Sequence, residues 1–295
     1  MNLQARQQDD APVPNSAGSD MPKLKAPAHA CDCHMHVYDA GRFAPLRPGS
    51  RMQHHAGVTE YRLLQKRIGT SRTVIVTPAV YATDNRVTLD AVSQLGANNA
   101  RGVAVVHPTV SDDELELLAN GGIRGIRFTQ FDPATAVTTP DMIEPLSRRV
   151  RALGWHVQIH MRGDQIVDAA ELWRRLDCAM VFDHFGRLPQ PAGAGHAAFA
   201  VIRRLLENGR TWVKLSGAYL DSKTPGYRDT TAAARAYIAL APERMLWGSD
   251  WPHPTETNKP NDAVLFDLLA EWAPEAATRH RILVENPQNL YGFAA

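Results

Sequence analysis

Two histidines separated by one residue stand in the run Cys31-Asp32-Cys33-His34-Met35-His36-Val37. In a β-strand successive side chains point to opposite faces. His34 and His36 are therefore expected to share a face with Asp32, with Cys31, Cys33, Met35 and Val37 on the apolar side. Two adjacent imidazoles at a strand end suit a divalent metal or an anionic oxygen. Cys31 and Cys33, placed opposite the histidines, read as packing residues rather than ligands.

More groups of this kind close later apolar runs. His160 ends His156-Val157-Gln158-Ile159-His160, and Asp183-His184 precedes Phe185-Gly186-Arg187. Gly248-Ser249-Asp250 precedes Trp251-Pro252-His253, and Arg127-Phe128 ends another run. One such histidine would more often be a satisfied core residue. His34, His36, His160, His184 and Asp250 together form a set that can activate water and polarise a carbonyl. The subset His34, His36, His160 and Asp250, with His184 as an alternative, could hold one Zn²⁺ or Mn²⁺. A metal-free version has the histidines hydrogen-bonding the carbonyl oxygen while Asp250 activates water. Arg127 is the candidate anchor for a substrate carboxylate or sulfonate, which a guanidinium fork matches bidentately. Arg187 and His253 are candidates to line the pocket. Lys214, which alternates with Ser216, ranks below them.

The elements that must position these groups follow a strand–helix rhythm. Helical patterns run over 58–69, 84–95, 111–119, 141–153, 164–176, 196–208, 230–240, 262–272 and 275–285. Ser111, with Glu114 three residues on, reads as a capping box. Short apolar strands lie between the helices, at 72–77, 101–107, 123–128, 155–160, 179–184, 211–216 and 244–249. Continuous apolar runs of this length fit strands buried on both faces. Eight βα units in roughly 260 residues predict a (β/α)₈ TIM barrel, with the site at the C-terminal strand ends. The runner-up, a doubly wound sheet, lacks a Gly-rich phosphate loop after its first strand. His107, before Pro108, reads as a strand cap. His54 and His55 read as solvated loop residues, Trp247 as core packing and Trp251 as a wall of the site. Residues 1–28 have no helix or strand period and read as a disordered or loosely docked tail before a barrel domain at 29–295.

Composition narrows the class. The chain has 295 residues, 44% hydrophobic and 21% charged, with net charge +1 and three cysteines. The near-zero charge argues against nucleic acid or a polybasic membrane patch as partner. No apolar run reaches the ~20 residues of a membrane span. The cysteines form no disulfide framework, so a cytoplasmic enzyme is the expected class. No helix shows an apolar stripe clear enough to mark an interface, which favours a monomer.

Cys-His-Met-His at 33–36, Asp-His-Phe-Gly-Arg at 183–187 and Gly-Ser-Asp-Trp-Pro-His at 248–253 resemble the amidohydrolase superfamily. Within it they are similar to the branch of 2-pyrone-4,6-dicarboxylate lactonase and related sugar-acid and sulfomuconolactone hydrolases. The resemblance spans about residues 24–292, including Tyr-Ala-Thr-Asp-Asn at 81–85 and Gly-Ile-Arg-Phe at 125–128. It implies hydrolysis of a small anionic lactone, with Asp250 as base and the histidines at the carbonyl. It departs at His160, where the pyrone-lactonase pattern has tyrosine and works without metal. It departs again at Thr129-Gln130-Phe131-Asp132-Pro133, where that pattern has a second arginine, so a dicarboxylate clamp is expected to be weaker. The competing readings are an aromatic-acid decarboxylase and a sugar-lactone hydrolase or isomerase on the same scaffold.

Overall fold

The computed structural model describes residues 12–47 and 55–294. Eight strands recur along it: β1 Cys31–Met35, β2 Arg72–Val76, β3 Ala100–Ala104, β4 Ile123–Thr129, β5 His156–His160, β6 Ala179–Phe182, β7 Thr211–Ser216 and β8 Met245–Gly248. They lie in one sheet in sequence order. The ring closes where the backbone N–H of Asp250 donates to His34 O and that of His36 to Trp251 O, each at 2.8 Å. This is the expected (β/α)₈ barrel, not an open doubly wound sheet.

The helices between strands are α1 Val58–Ile68, α2 Arg86–Leu95, α3 Asp112–Asn120, α4 Ile143–Arg151, α5 Gly163–Asp168, α6 Ala170–Arg175, α7 Ala197–Glu207, α8 Thr231–Leu240 and α9 Asp262–Trp272. Local chemistry sets their ends. Ser111 Oγ accepts from Glu114 N at the start of α3, and Asn261 caps α9 through Ala263 N. The helix expected over 164–176 is broken in two at Ala169. There the indole N–H of Trp173 donates to Ile166 O at 2.9 Å and competes for a carbonyl of the helical ladder. The last expected helix becomes α10 Ala276–His280, a π-turn at Arg281–Glu285 and α11 Asn286–Tyr291. Pro287 has no N–H to offer the carbonyl four residues back, which favours the wider turn.

Alternation fails on β1. Its pairing with β2 shifts register between Asp32 and Met35. Cys31 and Cys33 fall in the small apolar cluster inside the barrel, with Val74, Val103, Val181 and Leu246, whereas Met35 packs with the helix-facing core. Asp32 does not share a face with His34 and His36, as alternation predicted. It points into a buried network, accepting from Tyr61 Oη at 3.0 Å and from Ser249 N and Oγ at 2.9 and 2.6 Å. A bulge is the physical reason: one irregular step lets two consecutive residues, Cys33 and His34, reach inward.

The barrel floor is sealed by the C-terminal segment. Tyr291 and Phe293 join the inner cluster, and Arg101 donates to Tyr291 O and Gly292 O at 3.1 and 2.7 Å. Residues 12–28 lie against the barrel. Val13 is buried, Arg67 donates to Asp20 O at 2.9 Å, and the Trp251 indole donates to Pro14 O at 2.8 Å. Trp251 is thus fully buried rather than a wall of the site, and it packs on Tyr61 at 5.6 Å. Trp247 meets Phe266 of α9 edge-on at 5.0 Å, in the packing role expected of it.

Candidate active site

The seam between β1 and β8 brings the key groups together. At Gly248 an added Cβ would lie 2.7 Å from His34 Cβ and 2.8 Å from His34 N, so only glycine permits this approach. Two residues on, Asp250 adopts φ 64°, a left-handed conformation that L-residues avoid. Its Oδ1 then lies 3.5 Å from Nε2 of both His34 and His36 and 3.9 Å from Nε2 of His184. The two Nε2 atoms of His34 and His36 are 3.3 Å apart. All four residues are buried.

Neighbours fix what these rings present. His36 Nδ1 lies 2.8 Å from Val76 O, a carbonyl that can only accept, so Nδ1 carries the proton and Nε2 offers a lone pair. His34 Nδ1 stands between Asp183 Oδ1 at 3.3 Å and Lys214 Nζ at 3.4 Å. A proton shared with Asp183 leaves a lone pair on Nε2. A proton supplied by Lys214 leaves an N–H on Nε2. The first tautomer makes a two-nitrogen, one-oxygen donor set, and the second a hydrogen-bond donor aimed at the same point. Asp183 is the hub of the layer beneath. It accepts from Arg127 Nε at 2.9 Å and Gln158 Nε2 at 3.0 Å, while Lys214 donates to Gln158 Oε1 at 2.8 Å.

Burial pushes the imidazoles of His34 and His184 below their ordinary pKa, so both are neutral near pH 7. Burial opposes the charge on Asp250, but the facing His184, His36 and His34 outweigh it and hold the carboxyl well below the usual range. Burial likewise opposes the charge on Asp183, and His34, Arg127 and Lys214 outweigh it. Both carboxylates are ionised.

Asp250 is also gripped from behind. Tyr219, on the loop after β7, donates to Asp250 Oδ2 at 2.6 Å. Burial and the nearby carboxylate raise the phenol pKa well above its ordinary value, so the proton stays on Tyr219. The Tyr219 hydroxyl lies 3.1 Å from His253 Nδ1, and His253 Nε2 lies 3.1 Å from Asp262 Oδ2. His253 is fully buried and does not face the cavity. The sequence placed it in the pocket wall; the structure puts it behind Tyr219, turned back by its own φ of 54°. This chain leaves only Oδ1 of Asp250 open to the histidines. Tyr219→Phe is expected to lower kcat about 10–100-fold with KM nearly constant, as loss of one hydrogen bond to a charged group costs roughly 1.5–3 kcal/mol. A variant with unchanged kcat and a lower Tm would assign Tyr219 to folding alone.

A cavity of about 370 Å³ opens over these groups, lined by His36, His160, His184, Asp250, Arg127 and Arg187 among others. Arg127 gives Nε to Asp183, and its two Nη groups have no protein partner among the described residues. Arg187 is more committed. Nε and Nη2 bind Asp221 at 2.6 and 3.0 Å, Nη1 lies 3.1 Å from His160 Nε2, and the guanidinium stacks over Phe131 at 4.2 Å. The contact with His160 matters for the ligand set. Among the described residues, the ligand atoms close enough to hold a metal are those of His34, His36 and Asp250, or of His34, Asp183 and His184. His160 stands outside both groups, its Nε2 turned to a guanidinium that can only donate. In the second group Asp183 gives Oδ2 to Arg127 and Gln158, and its Oδ1 already faces the Lys214 ammonium at 3.7 Å, a poor neighbour for a cation. His34, His36 and Asp250 are therefore the fitting donors for a divalent cation, and they leave open positions of the kind catalytic sites keep.

Sequence reasoning missed four residues. Tyr219 and Asp262 carry no motif. Tyr38 and Arg47 enter the cavity from the irregular loop after β1. Arg47 supplies a third guanidinium, beside Arg127 and Arg187, from a direction the strand pattern could not indicate. His55 is exposed and lies 3.4 Å from Glu60, away from the site; His54 lies outside the described residues. Lys214 lies in the interior, fully buried beneath His34.

The amidohydrolase family profile matches residues 31–293. This chain belongs to the amidohydrolase family. The amidohydrolase is 33% identical over 290 residues to a 2-pyrone-4,6-dicarboxylate hydrolase of Comamonas testosteroni, covering 93% of this chain and 94% of that one. It is 33% identical over 275 residues to a 4-sulfomuconolactone hydrolase of Rhizobium radiobacter, covering 90% and 91%. A crystal structure of an Agrobacterium tumefaciens protein in its apo form matches it with TM-score 0.86 at 30% identity, covering 95% of this chain and 99% of that one. Among the described residues, no helix of the amidohydrolase is long and apolar enough to cross a membrane.

Proposed function

We propose that this amidohydrolase opens the ring of a small anionic lactone. One observation carries the reading: an ionised, buried Asp250 faces three imidazoles in the cavity that Arg127 also lines, and the Nη groups of Arg127 have no protein partner among the described residues. The two relatives, named for a pyrone dicarboxylate and a sulfonated lactone, support an anionic substrate.

The roles follow from the geometry. Arg127 pairs with the substrate carboxylate or sulfonate and sets the lactone carbonyl against His34, His36 and His184. Asp250 Oδ1 takes a proton from water, whose oxygen attacks the carbonyl carbon. The oxyanion that forms is met by Nε2–H of His34 in its second tautomer and by His184 in the tautomer that carries its proton on Nε2. His36, whose Nε2 holds a lone pair, accepts from the attacking water. Aimed donors of this kind are worth roughly 2.7–4 kcal/mol each in a dry site. The ring C–O bond then breaks, and the proton held by Asp250 goes to the departing oxygen. A carboxylate with a depressed pKa is a weak base for bulk water. Its strength here comes from alignment and from the positive ends gathered round the carbonyl oxygen. A Zn²⁺- or Mn²⁺-class ion held by His34, His36 and Asp250 would add Lewis-acid polarisation and a lower pKa for water. Metal analysis and chelation separate the two tautomers of His34. If the ion is held there, chelation abolishes turnover and Zn²⁺ or Mn²⁺ restores it. If turnover survives with no metal retained, Nε2–H of His34 is the polarising donor.

The test is proton release near neutral pH with paired lactones, half bearing a carboxylate or sulfonate and half neutral. Turnover confined to the charged half is the expected result. Turnover of neutral sugar lactones alone would move the substrate class, and silence on both would remove lactone hydrolysis.

A further inference from the structure

A second cavity of about 170 Å³ adjoins the first and shares Arg47, Ala79, Thr129 and His160 with it. None of the roles assigned above uses it. Beyond the shared rim its wall is formed by groups such as Val105, Phe131 and Val137. Its one carboxylate, Asp132, is already occupied: Oδ1 accepts from Ala134 N at 3.1 Å and Oδ2 from Thr135 Oγ1 at 3.0 Å. The charged Arg47 stands at the junction of the two cavities rather than deep in the second. Past Arg47 and the rest of the shared rim, the lining formed by the described residues offers only the hydroxyls of Thr135 and Thr138 and the occupied Asp132, so an ionic group seated there would be unpaired and costly to bury.

The cavity is also held in shape. Phe131 stacks on His160 with centroids 5.5 Å apart and planes 13° from parallel, and Arg187 covers the same ring. His107, three residues past the third strand, donates from Nε2 to Val137 O at 2.8 Å and ties down the loop that walls the cavity. That gives His107 a use beyond the strand cap the sequence suggested. An apolar cavity of roughly 150 Å³ takes a benzene ring.

We propose that this side cavity is a subsite for an uncharged alkyl or aryl arm on the substrate, seated while the anionic group rests on Arg127. The inference rests on the main cavity being the anionic-lactone site, and it narrows the substrate from any small anionic lactone to one bearing an apolar substituent. Binding and turnover test the two readings separately. Calorimetry with glutarate and 3-phenylglutarate compares the same pair of carboxylates with and without the arm. The phenyl compound is expected to bind at least about tenfold tighter, because burying an aromatic ring gains more than this. Val137→Phe, which fills the cavity and leaves the backbone carbonyl to His107, is expected to abolish the preference. Val137→Ala is expected to keep it. Equal affinities for the two diacids, binding of neither, or a preference that survives both Val137→Phe and a second filling change, Val105→Phe, would overturn the subsite. Carboxylated six-membered lactones with and without the phenyl group then report on catalysis. If neither is opened while the phenyl preference holds, lactone hydrolysis fails and the subsite stands. If both are opened at equal kcat/KM, with equal diacid affinities, hydrolysis stands and the subsite fails.

Discussion

Asp250→Asn is expected to lower kcat on an anionic lactone by about 10³-fold or more, with the fold intact. A positioned general base contributes roughly 10²–10⁴-fold, and this one also aligns three imidazoles. The amide is nearly isosteric and its carbonyl oxygen can still accept from Tyr219, so the buried contact at 2.6 Å has a successor. Removal of the negative charge also relieves no strain, because the left-handed backbone at residue 250 is set by the seam between the first and last strands. Asparagine tolerates that conformation better than most residues. Circular dichroism and Tm should therefore match the parent. A variant that keeps more than a tenth of the parent kcat would take the base away from Asp250. One that fails to fold would be replaced by Asp250→Glu, whose longer side chain keeps the charge and displaces the oxygen, with the same loss expected.

Arg127→Gln is expected to raise KM for anionic lactones by about 10–100-fold and to change KM for neutral ones little. The choice of glutamine matters. Arg127 Nε donates to Asp183 at 2.9 Å, and both residues are buried. Truncation to alanine would strand a buried carboxylate, a loss of roughly 3–5 kcal/mol to stability that would mask any effect on substrate. Glutamine places an amide nitrogen near the position of Nε and so retains the bond to Asp183. It removes the two Nη groups together with the positive charge, and leaves Lys214 and His34 to offset Asp183. A charge-assisted bidentate pair lost in this way accounts for the expected change. Equal changes for charged and neutral lactones would show Arg127 acting through Asp183 and His34 rather than on the substrate.

The sequence made the barrel legible because short apolar runs closed by polar groups alternate with helical patterns, a few of which open on a recognisable cap such as Ser111. The histidines at 34, 36 and 184 and the aspartate at 250 were legible for the same reason: strand ends of a barrel converge. Three things were not. The bulge in the first strand sends Asp32 away from the histidines, and no period in the sequence announces one irregular step. His253 follows Asp250 closely enough to look like a pocket residue, yet a positive φ turns it behind Tyr219. Arg47 and Tyr219 come from loops, where side-chain direction depends on tertiary contacts that pattern cannot express. His160 was read correctly as a strand-end residue, but its partner Arg187 decides what its nitrogen can do.

The join between the first and last strands has a consequence for the life of the chain. His34 and His36 emerge from the ribosome more than two hundred residues before Asp250, and nothing between them can complete the cluster. A growing or truncated polypeptide that stops short of the eighth strand has imidazoles and guanidiniums but no base facing them, and its first strand lacks the neighbour that gives His36 N–H its acceptor. Reactivity toward esters is thereby withheld until synthesis and ring closure are both finished. The same arrangement makes the first and eighth strands inseparable: a split or circularly permuted version regains turnover only if the cut leaves this join intact.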